Sequence, residues 1–300
     1  MISLTGFPTF FFHGALGIGD FSSLSPLFRS LSLHVIAPTL PGWGLSSPIP
    51  NRSLLQWSDD VIALAEHLSI PNDASFDVMG ISLGAIHAIA CAATIPQRVR
   101  RTLAISGHAP FTDPHFDPME GMDSLSSFGL SSFCASFTLL NRMGGWWVRR
   151  QCESEQGAKD FVREFLFLPM DAEENARFSA LSPEMQSAIH SRIATNVRLS
   201  LQHHLSGYTE IPSLLRSLPH TLLSQIPHGG AQILFTSGLG DRIVPHSHHR
   251  YYLSRLSSSS SITYPGGHMM SVLLLEKIVK RFVEWEWTGD RREEVLDESN

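Results

Sequence analysis

The feature that most constrains the fold of this chain is the segment GISLG at residues 80–84, which joins two different patterns. Residues 76–79 before it read as a short buried strand, and residues 85–93 after it read as a helix. Such a tight strand-to-helix turn forces its middle residue into a strained backbone conformation, and the flanking glycines leave room for it. The segment therefore predicts a strand–turn–helix unit that presents the Ser82 hydroxyl at the end of a strand.

Short apolar runs bounded by turn residues recur along the chain and alternate with helical patterns. The six runs with strand character are residues 7–12, 34–37, 76–79, 102–105, 231–236 and 261–264. Their lengths suit strands that are buried on both faces of a parallel sheet. Between two of them, Ser53 is placed to cap a helix that ends before Pro71. The alternation predicts an α/β fold with a mostly parallel central sheet flanked by helices.

The alternation stops between residues 107 and 228, where the patterns are helical. Ser182 and Pro183 mark the start of one helix, which we expect to end near Gly207. We therefore expect an α/β core made of residues 1–106 and 229–288, interrupted by a helical insertion at residues 107–228.

The sequence predicts the structure of three further segments near the C terminus. The last helix is expected at residues 271–287, and the charged tail at residues 289–300 is expected to be disordered because it has few bulky side chains. The serine run at residues 257–261 is interpreted as a solvent-facing loop before the last strand.

The composition of the chain argues against several classes of binding partner. The net charge of −6 and the pI near 6.2 give no basic surface for nucleic acid. The three cysteines lack the spacing of a disulfide framework or a zinc site, which favours a reducing compartment. We find neither a signal peptide nor an apolar run of roughly 18 to 20 residues. A cytoplasmic protein without stable membrane insertion is the expectation, and its oligomeric state is left open.

A serine hydroxyl becomes a good nucleophile only when a base removes its proton and an acid orients that base. Asp241 follows the strand-like run 231–236, and His268 follows the run 261–264. Loops after successive parallel strands share one edge of the sheet, so both side chains are expected to converge on Ser82. The alternatives are a turn-forming aspartate and a loop histidine without a chemical role. Asp113, after the run 102–105, is an alternative acid.

Two other patterns are rejected as binding sites. Residues 14–19 read GxxGxG, which is the wrong spacing for a dinucleotide-binding loop, and no acidic residue closes a following strand. His246, His248 and His249 lie close together, but without a nearby carboxylate they are interpreted as a solvated loop. The sequence therefore predicts no cofactor and no metal.

Taken together, these residues resemble the α/β-hydrolase family over residues 7–287. The resemblance rests on the Ser82 segment, the downstream Asp241 and His268, the His13-Gly14 pair, and the loop LPGWGLS at residues 40–46, all in the family's order. The family has a strand or hairpin before the strand that leads to His13, whereas about six residues precede that strand here. We expect either a sheet that is short at this edge or a start that is incomplete.

The resemblance also implies roles for individual residues. Ser82 would be the nucleophile, and the backbone N–H groups of Ala15 and Leu83 would form the oxyanion hole. His13 would brace the loop, with Gly14, Gly80 and Gly84 as structural residues near the site. Some family members supply the acid from the place that Asp113 occupies. The insertion resembles the family's helical cap.

The function implied is a serine hydrolase that cleaves a small, largely apolar ester, thioester or lactone. The same scaffold also supports C–C bond hydrolysis, acyl transfer and lyase chemistry, so these alternatives stay open. A serine at position 82 argues against epoxide hydrolases and dehalogenases of this fold, which use aspartate there. The alternative from another class is a non-catalytic ligand-binding protein.

Overall fold

A computed structural model describes residues 6–132, 136, 138–226, 232–256, 259–285 and 293–296. Its seven strands form one sheet in which all neighbours are parallel, in the order β2-β1-β3-β4-β5-β6-β7. The strands are β1 (Phe7–Phe12), β2 (Leu33–Ile36), β3 (Phe76–Ile81), β4 (Val99–Ile105), β5 (Gln232–Gly238), β6 (Ser259–Tyr264) and β7 (Glu293–Val295). The predicted α/β fold with a parallel sheet is confirmed. The predicted strand residue Ala231 lies outside the described residues.

Helices flank the sheet and fill the stretch between β4 and β5. The α-helices are α1 (Ser25–Ser30), α2 (Trp57–His67), α3 (Leu83–Thr94), α4 (Ser124–Leu130), α5 (Thr138–Gln151), α6 (Glu155–Val162), α7 (Ala172–Ser179), α8 (Pro183–Ser200), α9 (Ser206–Thr209), α10 (Ile211–Leu215), α11 (His246–Arg255), α12 (Met270–Leu273) and α13 (Leu275–Glu284). Short 3-10 helices cover Ser22–Leu24, Leu54–Gln56 and His220–Gln225, and a π-helical turn covers Arg163–Phe167. No described helix is both long and apolar enough to cross a membrane.

Alternating side chains of β1 show how the sheet is buried on both faces. Phe10 and Phe12 pack with α2 and α3 on one face, whereas Phe11 packs with α1 and α13 on the other, and all three are fully buried. Because both faces are covered, an uninterrupted phenylalanine run is tolerated in this strand.

The helical stretch between β4 and β5 partly follows the predicted pattern. The Ser182 side chain accepts a hydrogen bond from the N–H of Met185 at the start of α8, as expected for a helix cap. The helix ends at Ser200 rather than near Gly207. Gly207 lies in the next helix and touches the ring of Trp43 so closely that a Cβ atom there would overlap it.

The prediction of a solvent-facing serine loop is wrong for its described part. Ser259, Ser260 and Ser261 belong to β6 and are almost fully buried. Strand β6 pairs with β5 through all three serines, so these residues belong to the sheet and not to a loop before it. Ser257 and Ser258 lie outside the described residues.

The prediction of a disordered tail is also wrong where the tail is described. Glu293–Val295 form β7, which pairs in parallel with β6, and the N–H of Leu296 donates to the carbonyl of Thr263 at 2.7 Å. The Leu296 side chain is buried, and Arg281 forms an ion pair with Glu294. These contacts order a segment whose composition alone is polar. The last helix ends at Glu284, while residues 286–292 and 297–300 lie outside the described residues.

Candidate active site

Ser82 lies at the turn between β3 and α3, in a backbone conformation with φ 53° and ψ −118°. Its N–H donates to the carbonyl of Ile105 at 2.7 Å, which anchors the turn to β4. A Cβ at Gly80 would overlap the backbone of Gly84, and one at Gly84 would overlap the backbone of Phe12. The two glycines are therefore required by close backbone contacts, and the turn holds Ser82 in its strained conformation.

The loop after β1 lies directly against this turn. A Cβ placed on Gly14 would be 3.3 Å from the Cβ of Ser82 and 3.9 Å from its Oγ. His13 is buried, and its Nδ1 donates to the carbonyl of Gly14 at 2.7 Å while its Nε2 accepts from the N–H of Leu40 at 2.9 Å. Burial lowers the pKa of His13 to about 4, so the ring is neutral. His13 thus links the loop beside Ser82 to the loop at residues 40–46.

The resemblance implies an oxyanion hole formed by the backbone N–H groups of Leu83 and Ala15. Leu83 is the first residue of α3, where a backbone N–H has no partner within the helix. Ala15 is exposed in the loop after β1, next to the Gly14 that adjoins Ser82.

Asp241 and His268 come together at the carboxyl ends of β5 and β6. The Nδ1 of His268 donates to Oδ2 of Asp241 at 2.7 Å. The other oxygen, Oδ1, accepts the N–H groups of Ile243 at 2.9 Å and Val244 at 2.8 Å. Backbone bonds therefore fix the carboxylate, the carboxylate fixes the imidazole tautomer, and Nε2 is left as the basic nitrogen.

The environment of His268 has opposing effects on its pKa. Burial lowers the pKa, but the charge and hydrogen bond of Asp241 outweigh it, with a further contribution from Glu174. The net result is a pKa above the ordinary value of 6.5. The site thus stabilises an imidazolium ion, the form that a general base adopts after taking a proton.

Asp113 lies elsewhere and has different partners. Its Oδ2 accepts from the hydroxyl of Tyr251 at 2.7 Å and from the guanidinium of Arg255 at 3.0 Å. His268 is therefore bonded to Asp241 and not to Asp113.

The interpretation of His246, His248 and His249 as a solvated loop is wrong. They begin helix α11, and both His248 and His249 are buried. His248 uses both ring nitrogens, accepting from the N–H of Ala109 at 2.8 Å and bonding the carbonyl of Pro118 at 3.0 Å. Within the described ranges, no group of three or more histidine, cysteine, aspartate or glutamate side chains is arranged to hold a metal ion.

Two residues near the site were not identified from the sequence. Glu174 accepts the N–H of Met269 at 2.7 Å, directly after His268. His108, in the loop after β4, is buried, and this burial lowers its pKa, with smaller contributions from the charges of His248 and His268. The sequence does carry a signal for Glu174, because Asp171 and Glu174 have the spacing of a helix-capping box. His108 has no comparable signal.

Solved structures of several hydrolases resemble this one. A thermophilic esterase from Thermogutta terrifontis matches with a TM-score of 0.65 and 20% identity, covering 94% of this chain and 89% of the esterase. An enol-lactonase from Burkholderia xenovorans LB400 matches with a TM-score of 0.63 and 16% identity, covering 93% and 90%. A meta-cleavage product hydrolase from Pseudomonas fluorescens IP01 matches with a TM-score of 0.60 and 18% identity, also covering 93% and 90%. At these identities the likeness establishes the fold.

The model of the alpha/beta hydrolase family matches residues 10–284, which include Ser82, Asp241 and His268. Because the match spans most of the sequence and all of β1 to β6 except the first residues of β1, this chain belongs to the alpha/beta hydrolase family of enzymes.

Proposed function

We propose that this enzyme is a serine hydrolase that cleaves a small, largely apolar ester, thioester or lactone through an acyl-enzyme. The observation that carries the proposal is the 2.7 Å hydrogen bond between His268 Nδ1 and Asp241 Oδ2, at the same sheet edge as the strained Ser82. A buried carboxylate that orients an imidazole is the arrangement that activates a serine hydroxyl.

In the proposed reaction, Ser82 Oγ attacks the carbonyl carbon while Nε2 of His268 takes its proton. Asp241 holds the imidazole tautomer and stabilises the resulting positive charge. The N–H groups of Ala15 and Leu83 would bind the oxyanion, a contribution of about 3 kcal/mol for each donor. His268 then returns the proton to the leaving group, and water hydrolyses the acyl-enzyme.

The helical insertion at residues 107–228 is proposed as a cap that limits substrate size and excludes water. In support, the backbone of its α9 residue Gly207 bonds the carbonyl of Gly42 at 3.0 Å, and α7 contacts the loop of His268. We also propose a cytoplasmic location, which accords with the absence of disulfide spacing in the sequence.

C–C bond hydrolysis is the second candidate, because a meta-cleavage product hydrolase is among the proteins that share this fold. Acyl transfer, lyase chemistry and non-catalytic ligand binding use the same scaffold. Turnover of a vinylogous diketone but not of acyl esters would favour C–C cleavage.

The test of the proposed function is covalent labelling by a fluorophosphonate probe, read by intact mass. We expect one adduct on the wild type and none on Ser82→Ala. Ser106→Ala is a matched control, because Ser106 also has a positive φ of 48° after a strand but is buried. It should label like the wild type. An adduct on Ser82→Ala would contradict the assignment of the nucleophile, and no adduct on folded wild type would favour the ligand-binding alternative.

A further inference from the structure

Glu174 is a buried carboxylate of the insertion that reaches the core. It lies in helix α7, is only 4% exposed, and uses both oxygens. Its Oε2 accepts the N–H of Asp171 at 2.9 Å, which closes the cap of its own helix. Its Oε1 accepts the N–H of Met269 at 2.7 Å in the loop that carries His268. One side chain therefore ties the start of a cap helix to the residue after the proposed base.

The glycines around His268 and Asp241 fit the start of helix α7 closely. A Cβ on Gly267 would be 2.9 Å from Oε1 and 3.0 Å from Oε2 of Glu174. A Cβ on Gly240, the residue before Asp241, would be 3.0 Å from Oδ2 of Asp171. Two carboxylates of the same capping box thus lie against the two loops that hold the Asp241–His268 pair.

Glu174 acts on the Asp241–His268 pair through its charge, in addition to its hydrogen bond with the Met269 N–H. Burial raises the pKa of Glu174, whereas bonds from the N–H groups of Asp171, Met269 and Met270 favour its charged form. Groups that interact with its charge include Asp171 at the N-cap of its own helix, His268 in the facing loop and Tyr264 on β6. Its negative charge raises the pKa of His268.

We propose that Glu174 is a positioning residue for the hydrolytic reaction, holding the His268 loop by the Met269 N–H and favouring the imidazolium that forms when Ser82 loses its proton. This inference rests on the proposed function. It makes the cap a part of the proton-transfer apparatus, in addition to its role as a cover over the substrate.

The test compares Glu174→Gln with Glu173→Gln, a neighbouring and exposed glutamate on the same helix. Gln has nearly the same shape as Glu but carries no charge, and its NH₂ group must face one of the two N–H donors. We expect Glu174→Gln to lower kcat about ten- to a hundredfold with little change in KM, as for a displaced reacting group. The acid limb of the pH profile of kcat/KM should move to lower pH. Glu173→Gln should match the wild type.

A second variant separates the effect of the negative charge from the effect of the position of the carboxylate. Glu174→Asp keeps the charge but withdraws the carboxylate by one methylene group. It should lower kcat while leaving the acid limb close to that of the wild type. If Glu174→Gln does not fold, which thermal denaturation reports, this variant carries the test.

The imidazole titration of His268, followed by NMR, gives a readout that needs no substrate. The pKa of His268 should fall in Glu174→Gln. An unchanged titration together with unchanged kcat would overturn the inference even if Ser82 labels normally. A wild type that shows neither labelling nor turnover, but a shifted titration in Glu174→Gln, would instead contradict the proposed function and leave the contact between Glu174 and the His268 loop supported.

Discussion

Asp241 and Asp113 are two aspartates that share nearly every local feature and differ in their partners. Each lies in a loop after a strand, each is buried, and each accepts the N–H of the residue two positions further on. Their remaining oxygens differ, because that of Asp241 meets His268 whereas that of Asp113 meets Tyr251 and Arg255.

This difference shows that the loop conformation of an aspartate does not determine its chemistry. An imidazole accepts and releases a proton near neutral pH, so a carboxylate bonded to it influences a proton transfer. A phenol and a guanidinium stay protonated in that range, so we expect a structural role for Asp113. Substitutions at the two aspartates should therefore affect turnover, pH dependence and stability differently.

The largest effect is expected on turnover. Asp241→Asn should lower kcat about 10³- to 10⁴-fold, since the amide no longer holds the imidazole tautomer that the base requires. Asp113→Asn should stay within about threefold of the wild type, as for a substitution away from reacting groups. Steady-state kinetics with p-nitrophenyl esters measures both. The reverse ranking would move the role of the acid to Asp113.

The second effect is on pH dependence. The proposed base, His268, must be neutral to accept a proton, and its pKa is raised, so activity should fall as the pH drops through a value above 6.5. Loss of the Asp241 charge removes the largest raising influence, so residual activity of Asp241→Asn should persist to lower pH. The measurement is kcat/KM against pH, with Asp113→Asn expected to keep the wild-type limb. Equal limbs in all three proteins would contradict the electrostatic coupling.

The third effect is on stability. Asp113→Ala leaves the buried hydroxyl of Tyr251 without its acceptor, which should cost about 1–3 kcal/mol of unfolding free energy. Hydrogen bonds from His115 and Tyr251 lower the pKa of Asp113, so its contribution is present above the unfolded-state pKa and is lost as the pH falls through the folded-state pKa. Urea unfolding at neutral and acidic pH measures this, and the two proteins should converge in acid. A cost that did not shrink in acid would contradict a role for the charged form.

The smallest effect is expected for Tyr251→Phe, which removes one hydroxyl and leaves Asp113 bonded to Arg255. The loss should be about 0.5–1.5 kcal/mol, the usual net value of a hydrogen bond, without a change in kcat. Urea unfolding and ester hydrolysis are measured on the same preparation. A large loss of activity would show that this cluster is coupled to the reaction after all.

Much of the core was predictable because its signals are local. The apolar runs gave the first six strands, and the glycines around Ser82 indicated the turn that the structure contains. The convergence of Asp241 and His268 followed from strand order in a parallel sheet. The strands and the turn are encoded within short segments, and the convergence follows once those segments are arranged in one parallel sheet.

The errors concern residues whose state is set by distant contacts. Ser260 is buried in β6, which pairs with β5 and β7, and Leu296 is buried directly after β7. His248 is buried because Ala109 and Pro118, far away in the sequence, bond its ring. The capping box of Glu174 was readable, but its bond to Met269 spans 95 residues and has no local pattern.

The backbone conformation at Ser82 has a consequence for the stability of the fold. With φ 53° and ψ −118°, it lies where glycine is far better accommodated than any residue with a Cβ atom. Thermostability alone would favour glycine there, with a gain of roughly 1–3 kcal/mol over alanine or serine. Ser82→Gly would relieve this strain and remove the proposed nucleophile, so stability and the proposed reaction make opposite demands on the residue at this position.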